Sequence, residues 1–581
     1  MSANPSNPFW FDRVRPWLAA LLFFFAFGYR LIGIGWGLPN DLHNQSYHPD
    51  ELLTWEYSQQ IHPSQLQFAP GSYNYGTFYL SLLRIASDMT ATYSGAPDKN
   101  DIKSTWAYIG RCHLAGRVIS ALAGAGTAVV VFLFLRRFTR LLGAFGGGLL
   151  IAVAPGFVVH SRFQAVDVLA TFLLALSTYY SVLLIPSERQ PRGDEDWKKK
   201  AIKYAVLAGL FAGLSAGTKY TGILALFTLY AACAMSLRKD SVMLAGLGTL
   251  TAIVAFVGST PGIIIDNKNF MRDFRYEMLH TETGHGLLFT DVGSGFTYQL
   301  NNLMIGIGAL LGILAVIGCI FGVIQKQKWI WALMAFAIPY YILIGRAEVM
   351  FLRYTFPLYI VLAAGFAWWM GYAHEKQGWH RLAVLMGIFG LGASAQLSAN
   401  YTTAMSGVDE RDAVASKLKG MAAAKPDTQV GFVSDPWYWS PPLIPDAGML
   451  RGIANYNRFI LPEMQASKAP RVVQYLPPDI SQRFDWDTRL LTETKPEYVV
   501  FSNYEVGDVS RLTDATNLKS DDKLLVDRFK AFDSLLRKSY VNLQPGTPEG
   551  QQDAYAAAHA LVNDMEYVRP ILWIWKRKDL P

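Results

Sequence analysis

Long stretches free of Lys, Arg, Asp and Glu alternate along this chain with short charged clusters, and most approach the length a helix needs to cross a bilayer. The pattern predicts spanning helices at residues 17–36, 114–135, 141–159, 168–185, 201–217, 220–235, 242–265, 298–324, 329–345, 354–373 and 382–397. That makes about eleven crossings. The stretch 77–89 is also apolar, but it is short and carries Arg84 and Asp88, so it reads as a helix lying at the interface. After Ser398 the pattern changes. Strand-like runs at 429–433 and 498–501, helical patterns at 409–421 and 553–567, and a closing strand at 571–575 predict a small α/β domain. The expected fold class is a polytopic α-helical membrane protein: residues 1–397 form the transmembrane part and residues 398–581 an α/β domain.

Composition agrees with this reading. Of the 581 residues 51% are hydrophobic and 17% charged, too few charges to cover a soluble surface of this size. The +7 net charge reads as orientation. With a cytoplasmic N-terminus, Arg13 and Arg15, the Arg136–Arg140 cluster, Lys198 to Lys200, Arg238 and Lys239, Lys326 and Lys328, and Lys376 and Arg381 all fall inside. An odd number of crossings then places the loops 38–111 and 266–297, and everything after residue 398, outside the cytoplasm. No basic groove interleaved with aromatics appears, which argues against a nucleic-acid partner. Cys112, Cys233 and Cys319 lie in or beside apolar runs and suggest neither disulfides nor a thiolate metal site. The first apolar run lacks a small-residue cleavage site and reads as a retained helix.

The first outer loop carries His48-Pro49-Asp50-Glu51, two adjacent carboxylates beside the bilayer. Glycosyl transfer to a hydroxyl requires a carboxylate to take the acceptor's proton. The alternative is that Asp50 and Glu51 only cap a helix starting at Leu52. Asp167 is a further outer-face acid, with a helix cap or an ion pair near Ser161-Arg162 as its plainer roles. Lys219, Arg346 and Arg353 sit at outer helix ends against the inside bias of the other basic residues. They either meet an anionic phosphate or snorkel to lipid headgroups. In the second outer loop His280, Glu282 and His285 offer imidazole and oxygen ligands at a spacing that fits no established zinc template, so contact with sugar or phosphate is the alternative. Walker A and dinucleotide fingerprints are absent, which favours a lipid-linked donor over a nucleotide sugar.

At these residues the chain resembles the GT-C superfamily, which includes protein O-mannosyltransferases and the aminoarabinose transferases acting on lipid A. The resemblance rests on His48-Pro49-Asp50-Glu51 after the first helix and on Tyr75-Gly76-Thr77-Phe78-Tyr79. It continues through Gly116-Arg117-Val118, Ser161-Arg162 with Asp167, Gly217-Thr218-Lys219-Tyr220, and Arg353-Tyr354 before Pro357, covering most of the first 375 residues. It implies a glycosyltransferase that moves a sugar from a polyprenyl-phosphate carrier to a hydroxyl on a protein, lipid or glycan, with inversion. The site would lie at the outer face of a plasma or inner membrane. Asp50 would be the catalytic base and Asp167 an acid that orients acceptor or donor. Glu51 would be a metal ligand or a partner of Asp50, and His48 and the three cations would bind substrate. A cofactor is not implied, while a divalent metal stays open. The competing reading is a transporter or lipid flippase, whose key charges would lie near the bilayer midplane.

Overall fold

The computed structural model describes residues 9–40, 42–98, 101–185, 195–236, 239–373, 380–425, 428–443, 471–472, 484–543, 555–559 and 563–580. Five described helices are long and apolar enough to cross a membrane, or six if one bent pair counts as a single span. Four shorter apolar helices accompany them, at Pro16–Leu31, Leu141–Val153, Val166–Val182 and Tyr220–Ser236. Of the basic residues used for orientation, Arg238 and Lys376 lie outside the described residues.

Several expected single helices are broken, each for a local reason. The run 141–159 divides into Leu141–Val153 and Pro155–His160. Pro155 has no N–H to return to Ile151, and its ring clashes with a continuing helix. The freed carbonyls of Ile151 and Ala152 accept from the buried guanidinium of Arg30, both at 3.1 Å. The run 298–324 becomes Gly295–Ile307 and Ala309–Ile324, bent by 113°. At the break Gly308 has φ +96°, a conformation that residues with a Cβ rarely adopt. Residues 242–265 become Ser241–Ser259 and a short Gly262–Ile265 helix, while 220–235 starts as a 3₁₀ turn. The helix beginning at Thr77 runs to Ser94, past the expected end at Met89.

The last apolar helix, His380–Ser406, leads into helix Glu410–Ala424 and a five-stranded sheet. Its strands are β1 (Gln429–Phe432), β2 (Arg471–Val472), β3 (Tyr498–Ser502), β4 (Tyr540–Asn542) and β5 (Leu572–Arg577), in the order β2-β1-β3-β5-β4. β1 pairs parallel with β2 and β3, and β5 antiparallel with β3 and β4. Alternation gives each face its own core. Val499, Phe501, Trp573 and Trp575 pack with Phe529, Phe532 and Leu536 of helix Ser520–Ser539. Val430, Phe432, Val500, Leu572 and Ile574 pack with Val414 and Leu418 of helix Glu410–Ala424. Of the helix expected at 553–567, the turns Ala556–His559 and Asn563–Glu566 are present, and residues 553–554 and 560–562 lie outside the described residues.

This domain is fastened to both long loops between the helices, 38–111 and 266–297. The fully buried Arg411 pairs with Asp409 at 2.7 Å, donates to the carbonyls of Tyr438 and Tyr567, and lies 3.8 Å over the Tyr47 ring. Arg511 donates to the carbonyls of Thr290 at 2.6 Å and Leu287 at 3.2 Å in the second loop. The two loops also hold each other. The Tyr73 amide donates to Asp273 at 2.9 Å, Tyr73 Oη to Asp266 at 3.0 Å, and Asn74 to Glu277 at 2.7 Å.

The Tyr75-Gly76-Thr77 segment reaches the Gly217-Thr218-Lys219 segment backbone to backbone, with the Phe78 amide donating to the Gly217 carbonyl at 2.9 Å. A Cβ on Gly76 would overlap that carbonyl. Gly76→Ala should therefore destabilise the protein by about 1–3 kcal/mol through overpacking. A thermal midpoint equal to that of the unaltered protein would refute this close approach.

Candidate functional site

The first long loop is organised around one buried ion pair. Glu51 and Arg117 are both fully buried and meet at 2.7 Å. Glu51 Oε1 accepts from Arg117 Nε at 2.8 Å and the Gln164 amide at 2.7 Å, and Oε2 from Arg117 Nη2 and Ser46 Oγ. Arg117 Nη1 donates onward to the carbonyls of Ile34 and Trp36. The ion pair thus closes the chain from residue 34 to residue 51 onto the helix carrying Arg117. Burial raises the Glu51 carboxyl, but the Arg117 charge and hydrogen bonds outweigh it and hold it at about 2. Both oxygens are occupied and covered, so Glu51 is closed to substrate and to a metal.

The helix that follows begins at Pro49, three residues earlier than expected, and its cap is His48. His48 Nδ1 accepts from the Asp50 amide at 3.3 Å, which releases the Asp50 carboxylate from capping. Burial is the main force that lowers the His48 ring to about 4, so the ring is neutral and its proton sits on Nε2. That nitrogen is buried and has no partner among the described residues. Asp167 also lies in a first helical turn without capping it, since Ala165 is the N-cap and makes no side-chain bond. Arg162 is not its partner. The Arg162 guanidinium is buried against Thr402 and the carbonyls of Tyr29 and Arg30.

Three other chain segments converge on Arg353. Its guanidinium lies 3.2 Å from Asp564, 3.5 Å from Asp50 and 3.7 Å from Asp167, and rests 3.9 Å over the Phe351 ring. Lys219 Nζ meets Asp167 at 2.6 Å and lies 4.1 Å over the Tyr354 ring. Lys219 and Arg353 therefore share Asp167 in one cluster, facing a narrow cleft also lined by Tyr340 and Ser215. Asp50 is 26% exposed, against 6% for Asp167 and 1% for Asp564, so it is the acid of the cluster open to an incoming molecule. Asp564 belongs to the C-terminal domain and carries no motif in the sequence. Burial raises its carboxyl, while the charge of Arg353 and contacts from His160 hold it down at about 2.

The other candidates lie around this cluster. His285 packs edge-on against Phe351, with ring centroids 5.6 Å apart, and its Nδ1 is 3.3 Å from His280 Nε2. Glu282 is exposed on the same helix end. Among the described residues no group of three or more His, Cys, Asp and Glu side chains is arranged to hold a metal ion, and these three do not form one. Arg346 is exposed at the end of helix Lys328–Arg346 and makes no ion pair with the cluster acids. A wider cavity of about 450 Å³ lies elsewhere, at the seam between Ala404, Val408, Asn503, Glu566 and Ile571, and Asp50 does not line it.

Because Glu51 titrates near 2 in the folded protein against 4.5 ordinarily, the ion pair contributes its full stability above pH 4.5 and loses it as pH falls toward 2. Glu51→Gln should destabilise the protein by roughly 3–5 kcal/mol at neutral pH, since Arg117 is left buried without a counter-charge. Its acid decline should be shallower than that of the unaltered protein. Thermal melts across this pH range give both readings, and equal midpoints at pH 7 would refute the role.

Residues 82–263 match the family described as dolichyl-phosphate-mannose-protein mannosyltransferase. No curated protein matches by sequence. Among solved structures, the oligosaccharyltransferase AglB from Archaeoglobus fulgidus, in complex with an inhibitory peptide and a dolichol-phosphate, is 14% identical with a TM-score of 0.50, the match covering 92% of this chain and 74% of that one. ArnT from Cupriavidus metallidurans bound to undecaprenyl phosphate is 14% identical with a TM-score of 0.46, over 88% of this chain and 95% of that one. The S. cerevisiae protein O-mannosyltransferase complex bound to the sugar donor is 16% identical with a TM-score of 0.30, over 46% and 34%. The family segment lies inside the helical part of the chain, and the fold of the archaeal oligosaccharyltransferase is shared along nearly the whole length, so the chain is similar to multi-pass membrane glycosyltransferases of the GT-C type.

Proposed function

We propose that this protein transfers a sugar from a polyprenyl-phosphate carrier to a hydroxyl acceptor at the extracytoplasmic face of a plasma or inner membrane, with Asp50 as general base. The observation that carries this reading is the meeting of a partly exposed carboxylate, Asp50, with Arg353 and, through Asp167, Lys219. As the acceptor oxygen bonds to the anomeric carbon, its proton passes to Asp50 and the bond from that carbon to the phosphate oxygen breaks. The departing phosphate keeps the bonding electrons, and the charge it gains needs cations already in place. Arg353 and Lys219 occupy that position in this reading. The 3.5 Å separation of Arg353 from Asp50 is loose for an ion pair. A phosphate can take the guanidinium and leave Asp50 free to accept a proton. His48, whose ring is buried, serves the site through its cap on the Asp50 amide, which leaves the Asp50 carboxylate free. His285 packs edge-on against Phe351 beside Arg353, with His280 next to it, which makes the two imidazoles candidates for acceptor contact. The dolichol-phosphate bound by the similar archaeal oligosaccharyltransferase supports the donor class.

Asp50→Asn keeps the shape but cannot take up the proton, so turnover should fall by about 10²–10⁴-fold while polyprenyl-phosphate binding persists. Turnover assayed with a lipid-linked sugar checks this, and near-normal rates would remove Asp50 as the base.

Orientation follows from the basic clusters, which lie on one side when the N-terminus is inside. Reporter fusions after Ala373 should read cytoplasmic and those after Ser406 extracytoplasmic. The opposite pattern would place the Asp50 cluster on the cytoplasmic face and exclude the proposed site.

A further inference from the structure

Asp564 enters the cluster from the C-terminal domain, 211 residues after Arg353. It contacts more than the guanidinium. Its Oδ1 accepts from the Leu352 amide and its Oδ2 from the Arg353 amide, both at 3.1 Å, and Oδ2 also accepts from Arg353 Nη1 at 3.2 Å. Leu352 opens the 3₁₀ turn Leu352–Thr355, whose own N-cap, Phe351, has no side chain able to serve the free amides. Asp564 fills that place from a distant segment, acting as cap for the turn and counter-charge for its arginine together. Its neighbours fix it. Met565 and Tyr567 are buried in the membrane part's own hydrophobic core, and the Tyr567 ring lies 4.9 Å from His48, the residue beside Asp50.

We infer that Asp564 is a positioning residue for transfer: it holds the Arg353 guanidinium off Asp50, so that the cation is available to the donor phosphate and Asp50 to the acceptor. The inference rests on the phosphate role given to Arg353 above. Of the three acids around the guanidinium, Asp564 lies nearest and makes the hydrogen bond, while Asp50 and Asp167 stand at 3.5 and 3.7 Å. Without the Asp564 charge the guanidinium closes on these two. A phosphate must then break an ion pair to bind, and Asp50 is engaged when it should be accepting a proton. The direction of this effect is unusual, because removing an anion near an anionic ligand strengthens binding when only charge at a distance matters.

The test uses the full chain in lipid nanodiscs with a short-chain polyprenyl phosphate as probe, comparing unaltered protein with Asp564→Asn, Arg353→Met and the double variant Asp50→Asn/Asp564→Asn. Asp564→Asn should weaken binding about tenfold, the size of one lost hydrogen bond to a charged group. The double variant should recover part of that loss, because one of the two competing carboxylates is gone, whereas a folding defect would not be repaired by a second substitution. Unchanged or tighter binding in Asp564→Asn overturns the inference, as does a double variant no better than the single one. Undiminished binding in Arg353→Met would instead refute the phosphate role of Arg353, and the inference with it.

Discussion

The Glu51–Arg117 ion pair sets the geometry on which the site depends. It lies where neither side chain meets water, and its strength comes from saturation: every Glu51 oxygen and most Arg117 donors have partners. Buried ion pairs seldom add net stability over a packed apolar pair, but losing one partner is severe. The pair therefore fixes one conformation of the loop. With Glu51 pinned, its neighbour Asp50 is turned toward Arg353, and His48 takes over the capping that Asp50 would otherwise perform. Two adjacent acids in the sequence thus have opposite fates, one sealed in and the other presented.

Much of this arrangement was legible in the residues. Asp50, Asp167, Lys219 and Arg353 stand out because charge beside the end of an apolar run needs a reason, and the structure brings these four together. The strands at 429–432, 498–502 and 572–577 were visible as short apolar runs between polar segments. Helix continuity was less legible, since hydropathy reports how apolar a run is and not whether its hydrogen bonds continue. Pro155 was a local warning, whereas Gly308 looked like any of the glycines in an apolar run. Arg346 shares the pattern of Lys219 and Arg353, yet it ends its helix in the open; position at a helix end does not say which way the last turn faces.

Asp564 could not have been found this way. It is one acid among many in a charged domain, and its significance lies in the two amides and the guanidinium it meets, which belong to a distant segment. The nearest signal was the run Asp564-Met565-Glu566-Tyr567-Val568, where apolar residues alternate with acids beside the final strand, and that pattern equally suits a solvent-facing turn. A site assembled from remote contributions is legible in sequence only for the parts that carry their own motif.

The dependence of Arg353 on a partner 211 residues downstream bears on how the protein is made. The ribosome delivers Arg353 to the membrane well before Asp564 exists, and the helical part is inserted with its cluster of cations and acids still lacking the carboxylate that separates them. The site takes its final form only when the emerging sheet domain folds back and seats Met565 and Tyr567 in the helical core. Biogenesis and activation thereby share one late step, and a half-made chain sits in the bilayer without the finished arrangement around Arg353.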